Sequence, residues 1–84
     1  MSLDLDKISE FLTALRGSAG DLPVAVRDQV KMEASKAETA LASTPPNQGA
    51  LRAALGAIGN VCEGAAGNLI AAGIVATIRQ LGMG

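Results

Sequence analysis

The chain contains no histidine, tryptophan or tyrosine, and Phe11 is its only aromatic residue. Without histidine, the usual general base for a serine or cysteine nucleophile is missing. Cys62 is the only cysteine, so the chain cannot form an internal disulfide, and it holds no His/Cys set at zinc-ligand spacing. No catalytic residue, metal ligand or cofactor-binding residue is therefore expected, and the chain reads as non-enzymatic. Cys62 has Glu63 beside it and no neighbouring cation to lower its pKa, so it reads as a small buried hydrophobe. A lone unpaired thiol fits a reducing cytoplasm. Neither sign of charge dominates: seven basic and eight acidic residues leave a net charge of −1. With no basic face and no aromatics for base stacking, nucleic-acid binding is not expected. The opening "MSLDLDK" is acidic where a secretory leader would be basic, so no such leader is expected.

What the sequence does have is alanine, sixteen of them among 84 residues. A chain this short makes one domain and buries only roughly 60–65% of its unfolded surface. Alanine adds little area to a core stabilised by about 25 cal/mol per Å². Tight helix packing or oligomerisation is the remaining remedy.

Charge is unevenly spread. Residues 1–49 carry twelve of the fifteen charged residues, and residues 50–84 carry only Arg52, Glu63 and Arg79. The change falls at "STPPNQG", where two prolines remove backbone donors and push the preceding residues out of the α region. The expected organisation is one helical domain in three stretches: charged amphipathic helices over 1–43, a Pro-rich turn at 44–49, and an apolar Gly/Ala-rich hairpin or kinked helix over 50–84.

Leu5, Ile8, Leu12 and Leu15 form one helical stripe, with Asp4 and Asp6 in the first turn and Gly17 as the natural end. Asp21 can cap a second helix with Pro23 in its first turn. Val26, Val30, Ala34, Ala37 and Leu41 mark its narrow apolar stripe. The mixed charges opposite, from Arg27 to Glu38, read as a solvated face. Asn47 is a good N-cap for a third helix with the stripe Leu51, Leu55, Ile58 and Cys62. A last stripe runs through Ile70, Ile74, Ile78 and Leu81, with a break expected between Gly64 and Asn68 because Gly64 and Gly67 fall close together. "GAAGN" itself lacks the Lys-Ser/Thr of a phosphate loop and the three-glycine spacing of a dinucleotide turn.

"LASTPPNQGALRAALGAIGNVCEGAAGNLIAAGI" resembles a C-terminal helical tail of uncharacterised bacterial proteins. In that tail a charged helix ends in a Pro-Pro or Pro-x-Pro turn with Asn or Asp, followed by a Leu-repeat helix and a Gly/Ala segment. The resemblance spans residues 36–81. It implies a recurring helical module for assembly and transfers no activity or site residue.

"GAAGNLIAAGIVATI", Gly64 to Ile78, has no charged residue. At 1.5 Å per residue it reaches roughly 22 Å, short of a hydrocarbon core of about 30 Å. Its five large aliphatics favour insertion by only about 2–3 kcal/mol together. A membrane-acting hairpin is thus a weaker expectation than a helix surrounded by protein.

The reading is an all-α fold of three to four helices, packed as hairpins into a small bundle and completed by homo-oligomerisation. The expected interface is Leu51, Leu55, Ile58, Cys62, Leu69, Ile70, Ile74, Ile78 and Leu81. Gly64, Gly67 and Ala71 are expected to form a hinge or close-packing point. Asn60 and Asn68 are candidates for a buried polar layer that fixes register. A heterologous protein partner is the further alternative.

Overall fold

A computed structural model describes residues 4–65 and 67–83 of the chain, so Met1–Leu3, Ala66 and Gly84 lie outside the described residues. Four α-helices follow one another: α1 (Leu5–Ser18), α2 (Val24–Ala42), α3 (Gln48–Glu63) and α4 (Leu69–Ile78). No strand occurs among the described residues. The all-α reading holds, and the C-terminal half is two helices rather than one.

Local chemistry sets most of the helix starts. Asp4 is the N-cap of α1, its carboxylate accepting from the Lys7 N–H at 3.2 Å, and so stands just outside the first turn where it was expected. Asn47 caps α3 and Asn68 caps α4, each side-chain oxygen accepting a backbone N–H three residues on at 3.0 Å. The α2–α3 turn is tied by Ser43. Its hydroxyl accepts from the Asn47 N–H at 3.1 Å and lies 2.7 Å from the Ala40 carbonyl.

Two boundaries differ from the expected ones. Gly17 lies inside α1, which runs to Ser18 and is followed by a single 3₁₀ turn, Ala19–Asp21. Asp21 sits in that turn, and Pro23 occupies the N-cap of α2 without a side-chain cap. The cause is tertiary. Ala19 and Leu22 are both buried, and the tight turn carries them into the core. The Arg27 guanidinium donates to the Leu22 carbonyl at 3.0 Å, so this member of the expected solvated face holds the turn.

The core is built around α3. Leu51, Leu55 and Ile58 are completely buried, and Ala54 and Cys62 nearly so. The stripe Val30, Ala34, Ala37 and Ala40 of α2 packs against it, and small alanine side chains let those helices approach closely. Ile8, Phe11, Leu12 and Leu15 of α1, with Ala71, Ile74 and Ile78 of α4, complete the same cluster.

The core expected to be completed by oligomerisation is covered within one chain to the extent that Leu51, Leu55 and Ile58 are fully buried. The charged helices do not merely coat the outside, because their alanine and leucine stripes cover α3 within one chain. The accessible surface is 4887 Å², close to the roughly 4,600 Å² expected for a compact monomer of this mass. The radius of gyration, 11.8 Å, is also that of a compact domain of this length, about 12 Å.

Candidate functional site

Among the described residues, eighteen hydrophobic residues are buried in a single chain, and no polar or charged residue is. Leu51, Leu55, Ile58, Cys62, Ile74 and Ile78 belong to that set, so these members of the expected interface are already covered, and Ala71 is buried with them. Leu81 is half-buried against the same core. Two members of the expected interface remain outside: Leu69, 88% exposed, and Ile70, 37% exposed.

Their position follows from helical geometry. At 100° per residue, Ala71, Ile74 and Ile78 point one way and meet the core. Leu69, Ala72, Gly73 and Ala76 point the other way and are exposed. Charge is absent from this outer face, since α4 contains no charged residue. Its one polar side chain, Thr77, donates its hydroxyl to the Gly73 carbonyl at 2.9 Å. The outer face of α4 is thus apolar, with its hydrogen bonding satisfied inside the helix.

Beside this face, α1 and α4 diverge and leave a hollow of about 330 Å³, bordered by Phe11 and Ala14 on one side and Ile70, Gly73, Ile74 and Thr77 on the other. The floor is apolar, because Phe11 and Ile74 are core residues. Leu69 stands at its rim. A larger hollow of about 580 Å³ lies over Met32 between α2 and α3, but Ser43 and Asn47 on its wall are already engaged in the turn and caps.

The polar residues singled out from the sequence do not form a buried layer. Asn60 is exposed, and Asn68 is half-buried with its side chain spent on the α4 cap. Glu63 reaches Arg79 at 3.7 Å, but both side chains are more than half exposed, so that pair contributes little. A second surface pair, Arg16 with Glu38, links α1 to α2. Among the described residues, no three His, Cys, Asp or Glu side chains cluster as metal ligands would.

The break between α3 and α4 falls between Gly64 and Asn68, where it was expected, and its glycines play different parts. Gly64 is the C-cap of α3, donating to the Asn60 carbonyl at 3.3 Å. A Cβ there would press on the Val61 carbonyl oxygen at 3.3 Å, so glycine relieves crowding at the helix end. Gly67 lies in the turn, and a Cβ on it would meet nothing within 4 Å. Close packing through Gly67 and Ala71 is therefore corrected: Gly67 precedes the helix whose face it was expected to share. Gly73 is also open, with nothing within 4 Å of its Cβ position.

Burial pushes the Cys62 thiol above its ordinary pKa, which suits a buried apolar side chain rather than a nucleophile. No described helix is long and apolar enough to cross a membrane. The sequence signal for the exposed face was the uncharged run itself. The side chains that form it were hidden because periodicity alone assigns Ile70 to the same stripe as Ile74.

Compared with protein families, with curated proteins and with solved structures, the chain matches none of them.

Proposed function

We propose that this chain is a non-enzymatic assembly module that self-associates through the outer face of α4, within a reducing cytoplasm. The observation that carries the reading is Leu69: a large aliphatic side chain, 88% exposed, on a helix with no charged residue. Exposed single hydrophobics are ordinary, but Leu69, Ile70, Ala72, Gly73 and Ala76 are contiguous and border an apolar hollow. Such a patch marks a surface that meets protein. The covered core changes the expected strength of association. Stable interfaces bury about 800 Å² on each partner, whereas α4 has ten residues and so is only about 15 Å long. Self-association is thus weak, with folded monomers as its building blocks.

Sedimentation equilibrium tests this between about 10 µM and 1 mM, a range corresponding to roughly −7 to −4 kcal/mol. The mass should rise with concentration, and Leu69→Asp should hold it at 8.4 kDa while leaving helicity unchanged. A monomer throughout the range, or association untouched by Leu69→Asp, overturns the reading. Flotation with phospholipid vesicles covers the membrane alternative: binding abolished by Leu69→Asp, in a chain that stays monomeric, would assign the face to lipid instead.

A further inference from the structure

We infer that the hollow between α1 and α2 binds a small amphipathic anion, an aliphatic carboxylate whose tail lies on the buried floor and whose head sits between Arg16 and Lys31. The inference stands apart from self-association, because no residue of α4 lines this hollow.

The floor comes from the packing of α1 on α2. Leu15, Ala19, Val30 and Ala34 form it, and each is at most 3% exposed. Alanine is the cause of the space. At Ala19 and Ala34 the side chains stop at Cβ, so the packed elements leave about 320 Å³ between them. That is at the lower end of the range for small-molecule pockets, roughly 300–1,000 Å³, so the occupant is a short chain.

The rim has a different chemistry. Arg16 stands on the α1 wall, and Lys31 and Ser35 stand on the α2 wall, all three exposed. Among the described residues no acid lines the hollow, although the chain as a whole carries a net charge of −1. Glu38 meets the rim from outside. Its Oε1 accepts from Arg16 Nε at 2.8 Å, and this pair holds the guanidinium across the two helices. It engages Nε and Nη2, which leaves Nη1 for a second carboxylate. Lys31 makes no ion pair among the described residues. Ser35 accepts the Thr39 hydroxyl through its carbonyl, and its own hydroxyl is left to donate to the head. An apolar floor under two cations complements an anion with a tail. The tail leaves water for the floor, and the head gains charge-assisted hydrogen bonds.

Amide NMR of the full chain, titrated with octanoate, tests this. Shifts should centre on Ala19, Val30, Lys31 and Ala34 and saturate with a Kd of about 1 mM or below. Octanol has the tail without the charge, and acetate has the charge without the tail. Each should bind at least about tenfold more weakly than octanoate. Lys31→Glu should weaken octanoate by at least about tenfold, and Arg16→Gln should act in the same direction. Lys7→Glu makes the same change of charge at an exposed position of α1 outside the hollow. It should leave affinity within about twofold of the parent, because solvent screens a distant charge. Helical circular dichroism checks that each variant is folded. Octanol binding as tightly as octanoate, shifts that never saturate, or shifts centred on the α1–α4 hollow overturn the inference. So does a folded Lys31→Glu variant that binds like the parent. N-acetylleucine binding more tightly than octanoate would overturn it in favour of a peptide C-terminus.

Discussion

Cys62 shows how far a single residue's setting departs from its neighbours in sequence. It is 1% exposed although Glu63 beside it is exposed, because successive side chains on a helix point about 100° apart and only Cys62 falls on the core-facing stripe. Desolvation raises the thiol pKa, so folding favours its protonated form. The sign of the pH dependence follows. The unfolded thiol ionises first as pH rises, so the contribution is fully present below the ordinary thiol value and is lost as pH climbs through and beyond it. Denaturant midpoints of the parent should therefore fall on the alkaline side of that value. Cys62→Ala, less stable at neutral pH through its cavity, should lack that alkaline loss. Alkylation by iodoacetamide should also run at least about 100-fold slower in native than in denatured chain, an opening cost of about 2.7 kcal/mol. Native alkylation at the denatured rate would show the thiol to be accessible. Burial of Cys62 was legible from its place in the stripe with Leu51, Leu55 and Ile58. Exposure of Leu69 was legible only in part: it lies off the stripe of Ile70, Ile74 and Ile78, but the uncharged run offers no polar neighbour to mark its side as solvent-facing.

Helix boundaries were legible where one side chain decides them. Asn47, Asn68 and the Thr-Pro-Pro stretch carry their reasons in local hydrogen bonding and in the missing proline donors. The α1–α2 corner was not legible, because burying Ala19 and Leu22 selects the 3₁₀ turn over an ending at Gly17. Asn60 and Asn68 separate these two cases. Both were candidates for a buried polar layer, but only Asn68 makes a hydrogen bond that defines an element, to the Ala71 N–H. Asn68→Ala should lower stability by about 1 kcal/mol. Asn60→Ala, on an exposed helical surface, should stay within about 0.5 kcal/mol of the parent. Urea denaturation of both variants measures the difference. A large loss at Asn60 would restore the buried-layer reading.

The composition suggested a chain too poor in large side chains to cover its own core, and the molecule answers with geometry instead of volume. Ala34, Ala37 and Ala40 add little area, but they bring α2 near enough to bury Leu51, Leu55 and Ile58 within one copy. Periodicity revealed these stripes but not which would face which, because that depends on how closely two helix backbones approach. Function changes with it. If the apolar half were a shared centre, an acidic residue at Leu55 would split an assembly into folded monomers. Leu55 is instead fully buried in the monomer, so Leu55→Asp places a carboxylate where no water or partner can meet it. The expected outcome is loss of the fold, by more than about 4 kcal/mol, with helical circular dichroism gone at every concentration. Leu69→Asp changes a side chain already in solvent and should keep the parent's helicity and melting temperature at dilution. The contrast separates the two architectures in one experiment. Folded monomers from Leu55→Asp would return the core to the interface, whereas an unfolded Leu55→Asp beside a folded Leu69→Asp places the core within one chain and limits assembly to the outer face of α4.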